Sequence, residues 1–133
     1  MKTNNETVRN LQDVRVILAV LWAAGMLSSL NGDTYRLSAM TKFLGASPDL
    51  LSIFALILVG HIFMCSLTLT LKPRASRWAN RITGIIYAMI IVFFWVNAFV
   101  TRAPGYEIVW FTGQLVCALQ VVWFAWKWPN PQY

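Results

Sequence analysis

"ITGIIYAMIIVFFWVNAFV", residues 82–100, holds no charged side chain and no proline. A helix needs about 20 apolar residues to cross the ~30 Å hydrocarbon core of a bilayer, and this run has that length. Three further runs resemble it, at about 14–30, 50–71 and 108–126. Membrane-barrel strands are about half as long and alternate in polarity, which these runs do not. In lipid, backbone groups must pair within their own segment, so each run reads as a helix. The expected fold class is all-α: an integral membrane, antiparallel four-transmembrane-helix bundle, one transmembrane domain over 1–133.

Composition agrees. Of 133 residues, 58% are hydrophobic and only 12% are charged, about half the charged share of ordinary soluble domains. A soluble domain of this size has no place to hide so much apolar surface. The net charge of +6 does not read as a nucleic-acid footprint. The basic residues sit in short segments between apolar runs, with no basic face on a soluble body. The first run is long for a signal peptide, and its flank carries acids as well as bases, so it reads as an uncleaved span.

Charge sets the expected orientation. Lys2, Arg9, Arg15, Lys72, Arg74, Arg77, Arg81 and Lys127 fall on one side, eight in all, against Arg36, Lys42 and Arg102, three, on the other. Basic residues collect on the cytoplasmic side. Both termini are therefore expected in the cytoplasm of a multi-pass protein of the inner (plasma) membrane. "KPRASRWAN" (72–80) reads as a cytoplasmic turn and "TRAPGYE" (101–107) as a tight outer turn. "SPDLL" (47–51) reads as a helix start, with proline suited to the first turn and Asp49 to the positive end of the dipole. In the longest connection, Leu37, Met40, Phe43 and Leu44 share one face at helical spacing. That pattern predicts a short interfacial helix on the outer surface, about 34–44.

The polar residues inside the runs are the candidate site. The only histidine, His61, falls in the middle of the second run. Gln114 lies about a third of the way into the fourth, and Asn97 within one turn of the outer end of the third. Asp33 and Glu107 flank the outer ends of the first and fourth. An amide or imidazole facing lipid costs several kcal/mol, so His61, Gln114 and Asn97 are expected to face inward. His61 is expected to be neutral, with Gln114 as its first partner and a pocket water as its next. The ligand-pocket candidates are His61, Gln114, Asn97, Trp95, Trp22 and Asp33, with Tyr87 and Trp110 as further aromatic walls. The inner half offers Cys65, Ser66, Thr68, Thr70, Thr83 and Gln120, whose hydroxyls read as bonded back to their own helices. Small-x-x-x-small pairs at Ala24/Ser28, Gly84/Ala88 and Gly113/Cys117 suit close helix contact.

Several chemistries find no residues. One histidine does not supply bis-histidine haem ligation, and no Cys, His, Asp and Glu set has metal-site spacing. Cys65 and Cys117 form no Cys-x-x-Cys pair. No Ser–His–Asp set shares one depth, and no glycine-rich phosphate loop is present. No catalytic residue, metal or cofactor is expected.

"LWAAGML" (21–27) with "GD" (32–33), "RASRWANRITGIIYA" (74–88) and "VVWFAWKW" (121–128) together resemble a family of small bacterial four-helix membrane proteins. That family is a domain of unknown function, like the DoxX group in size and topology. The resemblance covers about residues 11–128 and is most specific at Arg77–Asn80, Gly84 and Trp123–Trp128. It implies fold and membrane localisation, and no activity. Relatives often carry glutamates near the positions of His61 and Gln114, and this chain departs from them there. Three functions then compete. The first is binding or transport of a small or lipid-like ligand in an outward-facing pocket around His61. The second is an accessory subunit whose polar residues only hold helices or a partner. An enzyme acting on a lipid or quinone ranks last. The expected partners are membrane lipids, and a second copy of the chain or a larger membrane protein, not nucleic acid.

Overall fold

Proline marks the start of three of the four helices. Its fixed φ suits the first turn, where its missing N–H is no loss. The computed structural model describes residues 2–38 and 48–128. Helix α1 is Lys2–Ser38, α2 is Pro48–Thr70, α3 is Pro73–Val100 and α4 is Gly105–Lys127. Pro48 and Pro73 open α2 and α3, and Pro104 is the N-cap residue of α4.

Three of the described helical segments are long and apolar enough to cross a membrane: Asp13–Thr34, Pro73–Val100 and Gly105–Lys127. In α2 the corresponding apolar stretch is the shorter Ala55–Thr70. The helices outrun the sequence reading. The first continues to Ser38, well past residue 30, and the third begins at Pro73 rather than at 82. "KPRASRWAN" is thus the opening of α3, not a turn. After Pro73 nothing in it stops a helix, and Arg77 reaches past α3 to the carbonyl of Trp128 at 3.5 Å. Of the expected interfacial helix at 34–44, residues 34–38 continue α1, and the rest lies outside the described residues.

Helix α1 packs on α2 and α4, α3 packs on α4, and the α2–α3 contact is the sparsest of the four. Small residues form the seams. A Cβ on Gly84 of α3 would lie 3.1 Å from Val121 and Val122 of α4, and one on Gly113 of α4 would lie 3.4 Å from Ser28 Oγ of α1. In lipid, such close packing holds helices together where burial from water does not. The core is correspondingly narrow: Leu18, Trp22, Met64, Tyr87, Val121, Ala125 and Trp128. Outside it, large apolar side chains such as Leu56, Phe93, Val100 and Val109 face outward, each more than two-thirds exposed. A surface of that kind calls for an apolar solvent.

Both ends of the α3–α4 pair are closed by local chemistry. At one end, Arg81 donates from Nε to Ala125 O at 3.0 Å and from Nη2 to Trp126 O at 3.2 Å. Its guanidinium lies 4.9 Å from the Trp126 ring centroid and 5.3 Å from that of Trp78. A cation therefore caps the carbonyls that α4 leaves open, at the negative end of its dipole. At the other end, Ala103 N–H reaches Ala98 O at 2.8 Å and Arg102 N–H reaches Phe99 O at 3.2 Å. This is a Schellman turn, with Arg102 at φ 53° where glycine is usual. A side chain in the left-handed region costs about 1–2 kcal/mol. Arg102→Gly is expected to raise thermal stability in detergent, by about 1 kcal/mol. An unchanged or lower melting temperature would mean that the turn carries no strain.

Candidate functional site

Two polar systems lie inside the helices, and they differ in how far they are satisfied. The first surrounds Asn80 of α3, which is fully buried. Its side-chain oxygen accepts the indole N–H of Trp22 at 2.7 Å. Its amide nitrogen donates to Thr68 Oγ1 at 3.0 Å and to Ser76 O at 2.8 Å. Thr68 Oγ1 in turn donates to Met64 O at 2.6 Å, and Ser76 Oγ donates to Thr68 O at 3.0 Å. Thr68 and Ser76 are also fully buried. The cluster ties α1, α2 and α3 together near the 71–72 turn, with each side chain bonded. Thr68 does bond back to its own helix, as read from sequence, but it also accepts from Asn80. The sequence marks Asn80 only within the Arg77–Asn80 resemblance and not as a buried polar residue, because it sits among arginines where a turn is expected. The spacing of the buried residues Ser76, Asn80, Gly84, Tyr87 and Ile91 shows the signal: one helical stripe running back past residue 82.

The second system centres on His61 of α2, which is 4% exposed. Its Nδ1 lies 2.8 Å from the carbonyl of Ile57, one turn back. A carbonyl only accepts, so Nδ1 carries the hydrogen, and in the neutral ring Nε2 carries the lone pair. Tyr87 of α3 donates its hydroxyl to the same carbonyl at 2.6 Å. The His61 ring stands edge-to-face with Tyr87, centroids 4.5 Å apart, and with Trp22, 5.5 Å apart. Tyr87 and Trp22 meet in the same way at 5.1 Å. Two glycines admit these rings. A Cβ on Gly60 would collide with the Tyr87 hydroxyl, and a Cβ on Gly25 would lie 3.1 Å from His61 Nε2.

Nε2 has no hydrogen-bond partner among the described residues, and neither has the Gln114 amide, although Gln114 is 8% exposed. The two do not bond each other, contrary to the pairing read from sequence. Both instead line a cavity of about 10 Å³ with Gly25, Tyr87 and Cys117. That space is about enough for one water. Gln114 also lines a second, larger pocket of about 40 Å³, whose walls include Ser29, Asp33, Glu107, Trp110 and Phe111. Gln114 and Ile91 are walls of both, so the two adjoin in a mainly apolar column with Asp33 and Glu107 at one end and His61 at the other.

Of the expected pocket residues, His61, Gln114, Trp22 and Asp33 stand on this column. Asn97 and Trp95 do not. Asn97 is exposed; it lies one position off the buried stripe of α3 and within one turn of the helix end, where water is near. Trp95 turns to the α3–α4 seam and donates its indole N–H to Thr112 Oγ1 at 3.0 Å. Cys117, Gly25 and Gly60 were not expected at the site. Among the described residues no three His, Cys, Asp or Glu side chains are placed to hold a metal. No family model, no curated protein and no solved structure matches the chain.

The two systems are expected to respond oppositely to removal of their amides. Asn80→Leu leaves the Trp22 N–H and the Ser76 carbonyl without their side-chain partner and should lower stability by about 1–3 kcal/mol. Gln114→Leu breaks no bond and should be neutral or stabilising. Denaturation in a fixed detergent measures both. Equal losses would show that the Gln114 amide is as well satisfied as that of Asn80.

Proposed function

We propose that this chain is an integral membrane protein that binds a small polar ligand in a pocket open at the outer face and floored by His61 and Gln114. In this reading the four helices all span the inner membrane as an antiparallel bundle, with both termini cytoplasmic. The eight-to-three distribution of basic residues supports the orientation. The Thr68–Asn80 and Ile57–Tyr87 bonds support an antiparallel α2–α3 pair, as do the Arg81–Ala125 and Trp95–Thr112 bonds for α3–α4.

One observation carries the function: two nine-tenths-buried polar side chains from different helices leave hydrogen-bonding atoms unused and line one cavity. Residues that serve only as glue bond each other, as the Asn80 cluster does. Size narrows the ligand. Sites for drug-sized molecules run to several hundred Å³, whereas this column totals some tens of Å³, so it suits a small polar species and not a lipid-like one. The accessory-subunit reading draws its support from the Asn80 cluster, which is what a purely structural polar core looks like.

Cys117 offers a direct test because it lines the deeper cavity. In a Cys65→Ser background, right-side-out vesicles are treated with external Ag⁺, which is comparable to water in size, and the remaining thiol is then titrated after denaturation. Protection of Cys117 by Ag⁺, together with no reaction with an external bulky maleimide, is expected. A thiol that remains fully reactive after Ag⁺ would exclude an outward-open pocket.

A further inference from the structure

We propose that the pocket selects an ammonium-sized cation that donates hydrogen bonds; this rests on the outward-pocket reading and names the chemistry of its ligand. The floor sets the first requirement. Because Nδ1–H is held by the Ile57 carbonyl and the ring is wedged between Trp22 and Tyr87, His61 presents a lone pair at Nε2 and no donor. A ligand must therefore bring an N–H or O–H to it. Gln114, unpartnered beside the same cavity, offers its amide oxygen as a second acceptor.

The walls set the second requirement. Asp33 and Glu107 both line the wider part of the column. Two carboxylates repel an anion and attract a cation, and in surroundings of low dielectric they do so more strongly than in water. Both make further interactions within the protein, and what matters here is their charge and their place on the wall. The rings of Trp110 and Phe111 complete that wall, and aromatic rings favour a cation over a neutral molecule.

Volume sets the third. The deep cavity of about 10 Å³ takes one atom of water's size, so the donor that reaches Nε2 carries no bulk behind it. Ammonium meets all three conditions. Sodium has no hydrogen to donate, and it prefers oxygen ligands to an imidazole. Trimethylammonium has a single donor shielded by methyl groups too large for the floor.

His61 is the only histidine, so its side-chain nitrogens give one unambiguous pair of ¹⁵N resonances. The labelled full-length protein in nanodiscs is titrated with ammonium chloride at fixed pH, with sodium chloride or trimethylammonium chloride replacing it at equal ionic strength. A saturable shift at Nε2 is expected with ammonium alone. Asp33→Asn should raise the half-saturating concentration about tenfold, as expected for loss of one nearby charge. Gly25→Ala, whose Cβ would crowd Nε2 at 3.1 Å, should abolish the shift. Should that variant fail to fold, Gln114→Leu serves instead and should weaken the response. If ammonium produces no shift, or sodium produces the same one, while external Ag⁺ still protects Cys117, the pocket stands and the ammonium assignment is wrong. If Ag⁺ also leaves Cys117 reactive, the pocket reading itself falls.

Discussion

The carbonyl of Ile57 is the fixed point of this molecule. It accepts both the Tyr87 hydroxyl and the Nδ1–H of His61, so one backbone oxygen on α2 orients a ring on its own helix and a ring on α3. From that constraint the rest follows. The Nδ1 of His61 is held at that carbonyl, its Nε2 turns toward Gly25 of α1, and Trp22 closes the aromatic set from α1. Gly60 and Gly25 are small because the Tyr87 hydroxyl and the His61 ring occupy the space that their side chains would take.

Trp22 joins the two polar systems. Its ring packs on His61 and Tyr87, and its N–H is held by Asn80. On one side of it lie the pocket walls, with Asp33 and Glu107 at one end and Gln114 and the His61 imidazole at the other. On the other lies a cluster in which Asn80, Thr68 and Ser76 are all bonded and fully buried. The molecule thus has small pockets at one end and a hydrogen-bonded cluster at the other. That cluster's end is also where Arg81 binds the last carbonyls of α4.

Much of this was legible in the residues. Length and apolarity alone identify the helices, and the depth of His61, Gln114 and Asp33 along their runs is enough to place them in one half of the molecule. Direction around a helix was harder to read. Asn97 and Ala98 are adjacent in sequence, yet Ala98 lies on the buried stripe of α3 and Asn97 does not, because one residue turns a helix by about 100°. Near the end of a membrane helix an outward amide also carries little penalty, so its polarity was no guide. Asn80 was hidden for the opposite reason. Arg77 and Arg81 beside it look solvated, but their long side chains reach carbonyls at the end of α4, which leaves the backbone helical and Asn80 buried. The choice of Ile57 O over Gln114 as the partner of His61 depends on ring orientation, which sequence spacing does not encode.

The central claim is that His61 is held as the Nδ1–H tautomer with an open lone pair at Nε2. A long-range ¹H–¹⁵N correlation spectrum of the protein at neutral pH reads this directly, since a bare and a protonated imidazole nitrogen differ widely in ¹⁵N shift. A protonated Nδ1 and an unprotonated Nε2 are expected, with the Nδ1 proton protected from exchange. A hydrogen on Nε2, whether as the other tautomer or as the imidazolium, would contradict the account, because it would remove the acceptor on which the floor of the pocket depends.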